Sequence, residues 1–217
     1  MILSDCEILA AIDRGEIKID PFSEGQLGGN SYDVRLAPVL RVHAVMTTVI
    51  ALADALEDAP DLDVGSELLS MAMGTVDVFD DDIDMMVEPR TIDVLIPEEG
   101  IILVPGVLYL GSTVEYTETH RHVPYLDGRS SVGRLGVSIH VTAGRGDVGF
   151  CNHWTMEIWV IQPVRVYPNI RIGQLTYHSV LGDVSRSYAT KPGTTYGALS
   201  CEPLPQPSRL WKSFPTK

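Results

Sequence analysis

The stretch from residue 92 to 181 is a series of short alternating segments, and this series constrains the fold more than any other feature. Ile92, Val94 and Ile96 alternate, and Ile101, Ile102, Leu103 and Val104 follow a Glu-Glu-Gly turn. Val107, Tyr109, Gly111 and Thr113 mark another strand. Val137, Ile139 and Val141 share one face, with Ser138, His140 and Thr142 on the other. Trp154, Met156, Ile158 and Val160 alternate with Thr155, Glu157 and Trp159, and Val164, Val166, Ile170, Ile172 and Leu175 continue the series. A period of two sends successive side chains to opposite faces of a sheet. Short strands at this spacing, broken by Gly and Pro, predict a sandwich or barrel. With 217 residues, the chain suits one domain, or one domain with an insertion.

The flanks read differently. Ser4 and Glu7 form an S-x-x-E capping box ahead of Ile8, Leu9 and Ile12, which predicts a short N-terminal helix ended by Gly15. A Gly-rich polar loop follows, and then residues 31–36 (SYDVRL) alternate like a strand. Residues 46–90 look like an insert, with twelve acids and one base between residues 51 and 90. Val49, Ile50, Leu52, Ala55 and Leu56 have helical spacing, as do Leu68, Leu69, Met71 and Met73. Residues 80–84 (DDDID) lack the glycine-centred ligand spacing of an EF-hand and read as a solvated acidic loop. From residue 185 to 217 the chain is rich in Pro, Gly, Ser and Thr and is expected to be a mobile tail.

A net charge of −13 argues against nucleic acid as a partner, because phosphate neutralisation dominates that affinity. A small anion remains compatible if arginines converge locally or a cation screens it. No apolar run approaches the roughly 20 residues that span a bilayer, and the N-terminus has early acids and no basic region, so a cytoplasmic protein with no membrane partner is expected. Cys6, Cys151 and Cys201 are widely spaced with no C-x-x-C, so they read as reduced structural thiols. His120 and His122 form an H-x-H pair with no third ligand nearby in sequence, so metal binding is not expected there.

Three segments have residue types suited to chemistry. Residues 127–136 (DGRSSVGRLG) combine two arginines, two hydroxyls and three glycines. Small residues open backbone N–H groups to a ligand, and hydroxyls and guanidinium forks suit phosphate oxygens; a polar turn leading into a strand would look the same. Residues 140–150 (HVTAGRGDVGF) hold an Arg-Gly-Asp, which fits either a surface turn with a local ion pair or an Asp that meets a sugar hydroxyl or a water. Glu157 sits mid-strand between Trp154 and Trp159, although Glu is depleted in strands. On an open sheet face it is ordinary. In a pocket, partial burial would raise its pKa and suit it to shuttle a proton.

Taken together, and in order along the chain, these segments resemble the dCTP deaminase family, a branch of the trimeric dUTPase-like fold. The opening ILSDCEILAAIDRGEI is similar to the family's N-terminal helix and SYDVRL to its first strand. DGRSSVGRLG, HVTAGRGDVGF and PNIRIGQL are similar to its internal motifs, and the Tyr-containing tail to its last. The resemblance implies a mainly β fold, a distorted jelly-roll barrel with short peripheral helices and an acidic helical insert. It implies a homotrimer with active sites between subunits and a deoxycytidine nucleotide as substrate.

By the same resemblance, Glu157 is the catalytic acid–base, with Ser130 and Arg134 bordering the reacting end of the base. Arg129, Ser130, Ser131 and Gly133 lie on the phosphate path, and Asp147 contacts the deoxyribose. Thr155 and Met156 offer backbone to the pyrimidine, Ala143 lends a carbonyl to the attacking water, and Gln174, Tyr188 and Tyr196 lie near the phosphates and the closing tail. The zinc-deaminase pattern, H-x-E with P-C-x-x-C, is absent, so a zinc-free deamination is expected. Mg²⁺ is expected to be bound through the triphosphate rather than by protein side chains. The reaction read first is dCTP to dUTP and ammonia. The alternatives are a bifunctional enzyme that continues to dUMP, or a deaminase of dCMP or a modified cytosine.

Overall fold

The computed structural model describes residues 1–61, 64, 68, 70, 79–193, 195, 196 and 202–214. Helix α1 (Asp5–Asp13) begins as its capping box predicts, with the Ser4 hydroxyl accepting the Glu7 N–H at 3.3 Å. Gly15 ends it at φ 70°, in the left-handed region. Strand β1 (Ile17–Asp20) follows, then β2 (Tyr32–His43), longer than the expected 31–36. Helix α2 (Met46–Asp58) lies within the insert and buries Leu52. Of the second helical pattern in the insert, Leu68 is buried, while Leu69, Met71 and Met73 lie outside the described residues.

The β region contains β3 (Thr91–Leu95), β4 (Ile101–Leu103), β5 (Tyr109–Thr119) and β6 (His122–Gly128). The short helix α3 (Ser130–Gly133) leads into β7 (Val137–Ser138), followed by β8 (Cys151–Val160), β9 (Val164–Val166) and β10 (Arg171–Ser179). Eight strands form one sheet in the order β6-β10-β2-β5-β8-β7, with β1 added to β5 and β3 to β2, while β4 and β9 pair separately. Every pairing between these strands is antiparallel. The two ends of the path approach each other. The segment after β7 reaches β6 through Leu126 N–H to Gly144 O (2.7 Å) and Gly146 N–H to Pro124 O (3.0 Å). The sheet is therefore nearly a closed barrel, which leaves few unpaired edges.

The inner faces of β2, β5, β8 and β10 supply the core, including Tyr32, Leu36, Leu40, Tyr109, Met156, Ile158, Leu175 and Tyr177. One charge lies fully inside. Glu115 on β5 accepts from Arg35 N at 2.8 Å, Arg35 Nε at 2.7 Å and Gln26 Nε2 at 2.9 Å. Those donors satisfy a carboxylate that would otherwise be costly to bury, and they fix β2 against β5.

The tail is tied down where it is described. Tyr188 N–H donates to Val148 O at 2.7 Å, Arg41 Nη1 to Pro205 O at 2.9 Å, and Gln206 N–H to Thr155 Oγ1 at 2.9 Å. Composition suggested a mobile tail because Pro, Gly and Ser carry few apolar contacts. Here backbone groups, which composition does not reveal, do the anchoring.

Candidate active site

On β8, Met156, Ile158 and Val160 point into the core, so Thr155 and Glu157 face outward and are half-buried. Their cross-strand partners on β5 are Ser112 and Leu110. The expected strand through Val141 stops at Ser138. Beyond it, Glu157 N–H still donates to Ile139 O at 2.9 Å, but the next amides turn to the Glu157 side chain. Its Oε2 accepts Val141 N–H at 2.8 Å and Thr142 N–H at 3.4 Å. A carboxylate thus takes the donors that a ladder would have used, and the loop bends around it.

The same loop is fixed from the other side. His140 Nε2 donates to Leu126 O at 2.8 Å, and Leu126 N–H donates to Gly144 O. One residue of β6 therefore holds both ends of the segment that grips Glu157. Burial lowers the His140 pKa from its ordinary value, partly opposed by the Leu126 carbonyl and the Glu157 and Asp127 carboxylates. Gly144 needs to be glycine, since a Cβ there would collide with the Leu126 carbonyl oxygen.

This arrangement opens onto a cavity of about 570 Å³, within the usual range for small-molecule sites. Glu157, Thr155, Ala143, Asp147, Tyr188 and Tyr196 all line it. Asp147 sits on the turn into β8, where Phe150 N–H returns to the Asp147 carbonyl at 3.1 Å. Gly149 completes that turn at φ 92°, a conformation side-chained residues rarely adopt. The tail docks beside it.

Trp154, Phe150 and Tyr188 form an aromatic wall, with ring centroids 4.8 Å apart for the first pair and 5.7 Å for the second. Tyr188 Oη accepts Tyr196 N–H at 2.8 Å, and Tyr196 Oη accepts Arg209 N–H at 3.1 Å. Both tail tyrosines are therefore committed to holding the tail over the cavity.

The remaining expected residues are elsewhere on the chain. Ser130, Ser131, Gly133 and Arg134 are exposed on α3 and its end, and none lines the cavity. Arg129 is turned back to Asp33, with Nε 3.2 Å from Oδ1, and donates to Arg171 O at 3.3 Å. Gln174 on β10 pairs across the sheet with Asp33 and Asp127. The Met156 side chain is fully buried, so any role in the pocket falls to its backbone. The structure thus divides the expected set into a cavity group and a group at α3, in which Arg129 is half-buried and Ser130, Ser131, Gly133 and Arg134 are exposed.

Several cavity residues carried no sequence signal. His43, Asn152, His153 and Gln206 line it, brought together from β2, β8 and the tail. Asn152 Nδ2 donates to Tyr196 O at 3.2 Å, and His153 Nδ1 lies 3.1 Å from Thr113 O. Burial lowers the His43 pKa. No local spacing connects these positions, and only the sheet makes them neighbours. Arg145 of the Arg-Gly-Asp also faces the cavity, where it is the cation beside Asp147 and Glu157.

Residues 2–180 match the family described as dCTP deaminase-like. The chain belongs to that family. A relative from Hathewaya histolytica named "dCTP deaminase, dUMP-forming" is 40% identical over 215 residues, covering 99% of each chain. One of the same name from Leptospira biflexa is 41% identical over 218 residues, covering 100% of each. A third with that name, from Cytophaga hutchinsonii, is 39% identical over 215 residues, with 99% of each chain covered. Among solved structures, the 2'-deoxycytidine 5'-triphosphate deaminase from Agrobacterium tumefaciens aligns with a TM-score of 0.51 at 17% identity, over 82% of this chain and 48% of that one. The chain thus spans about half the length of that solved chain, and the likeness supports the family's barrel fold. Among the described residues, no helix is long and apolar enough to cross a membrane.

Proposed function

We propose that this chain deaminates dCTP and carries the product on to dUMP, releasing ammonia and pyrophosphate. The observation that carries the deaminase reading is the Glu157 carboxylate, held by two loop amides at the wall of a nucleotide-sized cavity. The full-length relatives named as dUMP-forming favour dUMP over the dUTP first expected as final product.

With Oε2 fixed by Val141 and Thr142, Oε1 is left for water and base. Glu157 takes a proton from water as the oxygen bonds to C4 of cytosine, and passes it to N3. The C4–N4 bond then breaks, and the leaving nitrogen departs as ammonia with a second proton from the same hydroxyl, delivered through Glu157. Asp147 on its rigid turn is suited to the deoxyribose hydroxyl, and the Trp154–Phe150–Tyr188 wall to the flat edge of a nucleoside. A second water then attacks at the α-phosphorus, and the bond to the β-phosphate bridge breaks to free pyrophosphate.

Arg129, Ser130, Ser131 and Arg134 supply the donors that phosphate oxygens need. The exposure of Ser130, Ser131 and Arg134 on one chain, away from that chain's cavity, supports a homotrimer in which one subunit's α3 completes a neighbour's site. These side chains are cations and hydroxyls rather than metal ligands, which fits Mg²⁺ bound through the nucleotide; it would screen the triphosphate charge.

Ammonia and pyrophosphate measured separately on dCTP, dUTP and dCMP test the proposal. dCTP should give both products in equal amounts, ending in dUMP. dUTP accumulating from dCTP without pyrophosphate would reject the second step, ammonia from dCMP but not dCTP would reject the triphosphate, and no ammonia from either would reject deamination.

A further inference from the structure

The H-x-H pair splits in the fold. His122 opens β6, is buried, and turns its Nε2 to Glu16 Oε2 at 3.2 Å. His120, in the turn before it, points the other way and lies 3.1 Å from Glu118 Oε2. Glu118 on β5 is the direct cross-strand partner of Cys151, the first residue of β8. The ligand atoms of Glu118, His120 and Cys151 all lie within 4.8 Å of one another. Sequence alone hid this trio, because Cys151 is far from His120 along the chain.

We propose that Glu118, His120 and Cys151 form a binding site for a zinc-class divalent cation, separate from the catalytic cavity. A thiolate, an imidazole and a carboxylate are the donors such a borderline-soft ion prefers, and three protein ligands with water in the fourth position is a common arrangement for it. Tetrahedral coordination needs ligand atoms about 3.5 Å apart. His120 is exposed and free to close the remaining gap by changing rotamer, while Glu118 and Cys151 are held by strand register. Lys18 Nζ contacts Glu118 at Oε1, 3.4 Å away, and leaves Oε2 facing His120. None of the three residues lines the cavity, so the ion takes no part in deamination.

The position gives the ion a structural role. Thr119 N–H donates to Phe150 O at 3.1 Å, and Gly149 N–H to Thr119 O at 2.7 Å, so the end of β5 already touches the turn that carries Asp147. A metal joining Glu118, His120 and Cys151 cross-links the two sides of that contact.

Reduced full-length protein in thiol-free buffer, titrated with CoCl₂, tests this. The expected result is a thiolate-to-cobalt charge-transfer band that saturates at one ion per chain and is displaced by ZnSO₄. It should vanish in Cys151→Ser, weaken in His120→Ala and Glu118→Gln, and persist in a Cys6→Ser/Cys201→Ser double variant. Zn²⁺ should raise the Tm of the wild type and leave that of Cys151→Ser unchanged. Circular dichroism confirms that each variant is folded, and His120→Ala and Glu118→Gln carry the test if Cys151→Ser is not. No band in the wild type, a band that survives Cys151→Ser, or one indifferent to both His120→Ala and Glu118→Gln would overturn the site.

Discussion

Two regions of this molecule have similar polar, glycine-rich sequences and opposite structural fates. Residues 140–150 fold into a loop held by its backbone groups and by His140. Its amides grip Glu157, its histidine holds Leu126, and its turn carries Asp147 beside an aromatic wall. Residues 130–133 form a short helix whose two hydroxyls, with Arg134 at its end, are exposed. One region is preorganised within a single chain. The other presents exposed hydroxyls and a guanidinium that do not line the cavity. In the proposed homotrimer, the exposed donors of one subunit would meet the cavity of a neighbour.

The comparison breaks most decisively at Glu157. Glu157→Gln keeps an acceptor for Val141 and Thr142 but cannot move a proton, so ammonia release should fall by about a hundred- to ten-thousand-fold. Pyrophosphate release from dUTP should survive, because that step does not use this carboxylate. Loss of both activities together would mean that Glu157 shapes the cavity rather than the chemistry.

Complementation tests the other half. Ser130→Ala and Glu157→Gln homotrimers should each be nearly inactive, whereas coexpressed chains should recover roughly a quarter of the wild-type rate through mixed interfaces. No recovery in verified mixed trimers would place both groups in one subunit's site.

The loop itself can be perturbed without touching a reacting group. Gly144→Ala forces a Cβ against the Leu126 carbonyl and should cost about 1–3 kcal/mol of stability, read by urea unfolding. Ammonia release should drop more than nucleotide binding, since the displaced amides are those that hold Glu157.

The smallest effect concerns pH. Burial depresses the His140 pKa in the fold below its unfolded value. Below the ordinary imidazole pKa the unfolded chain then binds more protons, so stability is full above that value and falls as pH drops through the folded one. His140→Gln should flatten this part of the stability–pH curve. His43, also depressed by burial, should leave a residual slope. An identical slope in wild type and variant would show that the loop's hold on Leu126 is insensitive to the imidazole's charge.

Much of the barrel was legible because a half-buried strand must alternate, as β8 and β9 do, while β4 showed as a short apolar run after a turn. β1 and β6 were not singled out. β1 alternates over only four residues, and β6 places His122 and Pro124 on its buried face and Tyr125 on its exposed one, which hides the period. The segment after Ser138 alternates yet leaves the ladder, because a carboxylate on the next strand, β8, competes for its amides. Of the candidate site residues, Ala143, Asp147, Thr155 and Glu157 line the cavity and those of α3 do not, while His43, Asn152, His153 and Gln206 also line it and carried no sequence signal.

The amino-acid sequence by itself determined the β class, the N-terminal capped helix, the acidic insert and the contiguous motifs that carry the candidate residues. Each is written in local spacing or in a contiguous motif, where the physical constraint acts between near neighbours. Only the tertiary structure decided that Glu157 is clasped by loop amides, that the tail covers the cavity, and that Glu118, His120 and Cys151 meet. Those outcomes depend on strand register and on hydrogen bonds between residues far apart in the chain, and pairing of that kind leaves no periodic trace in either partner.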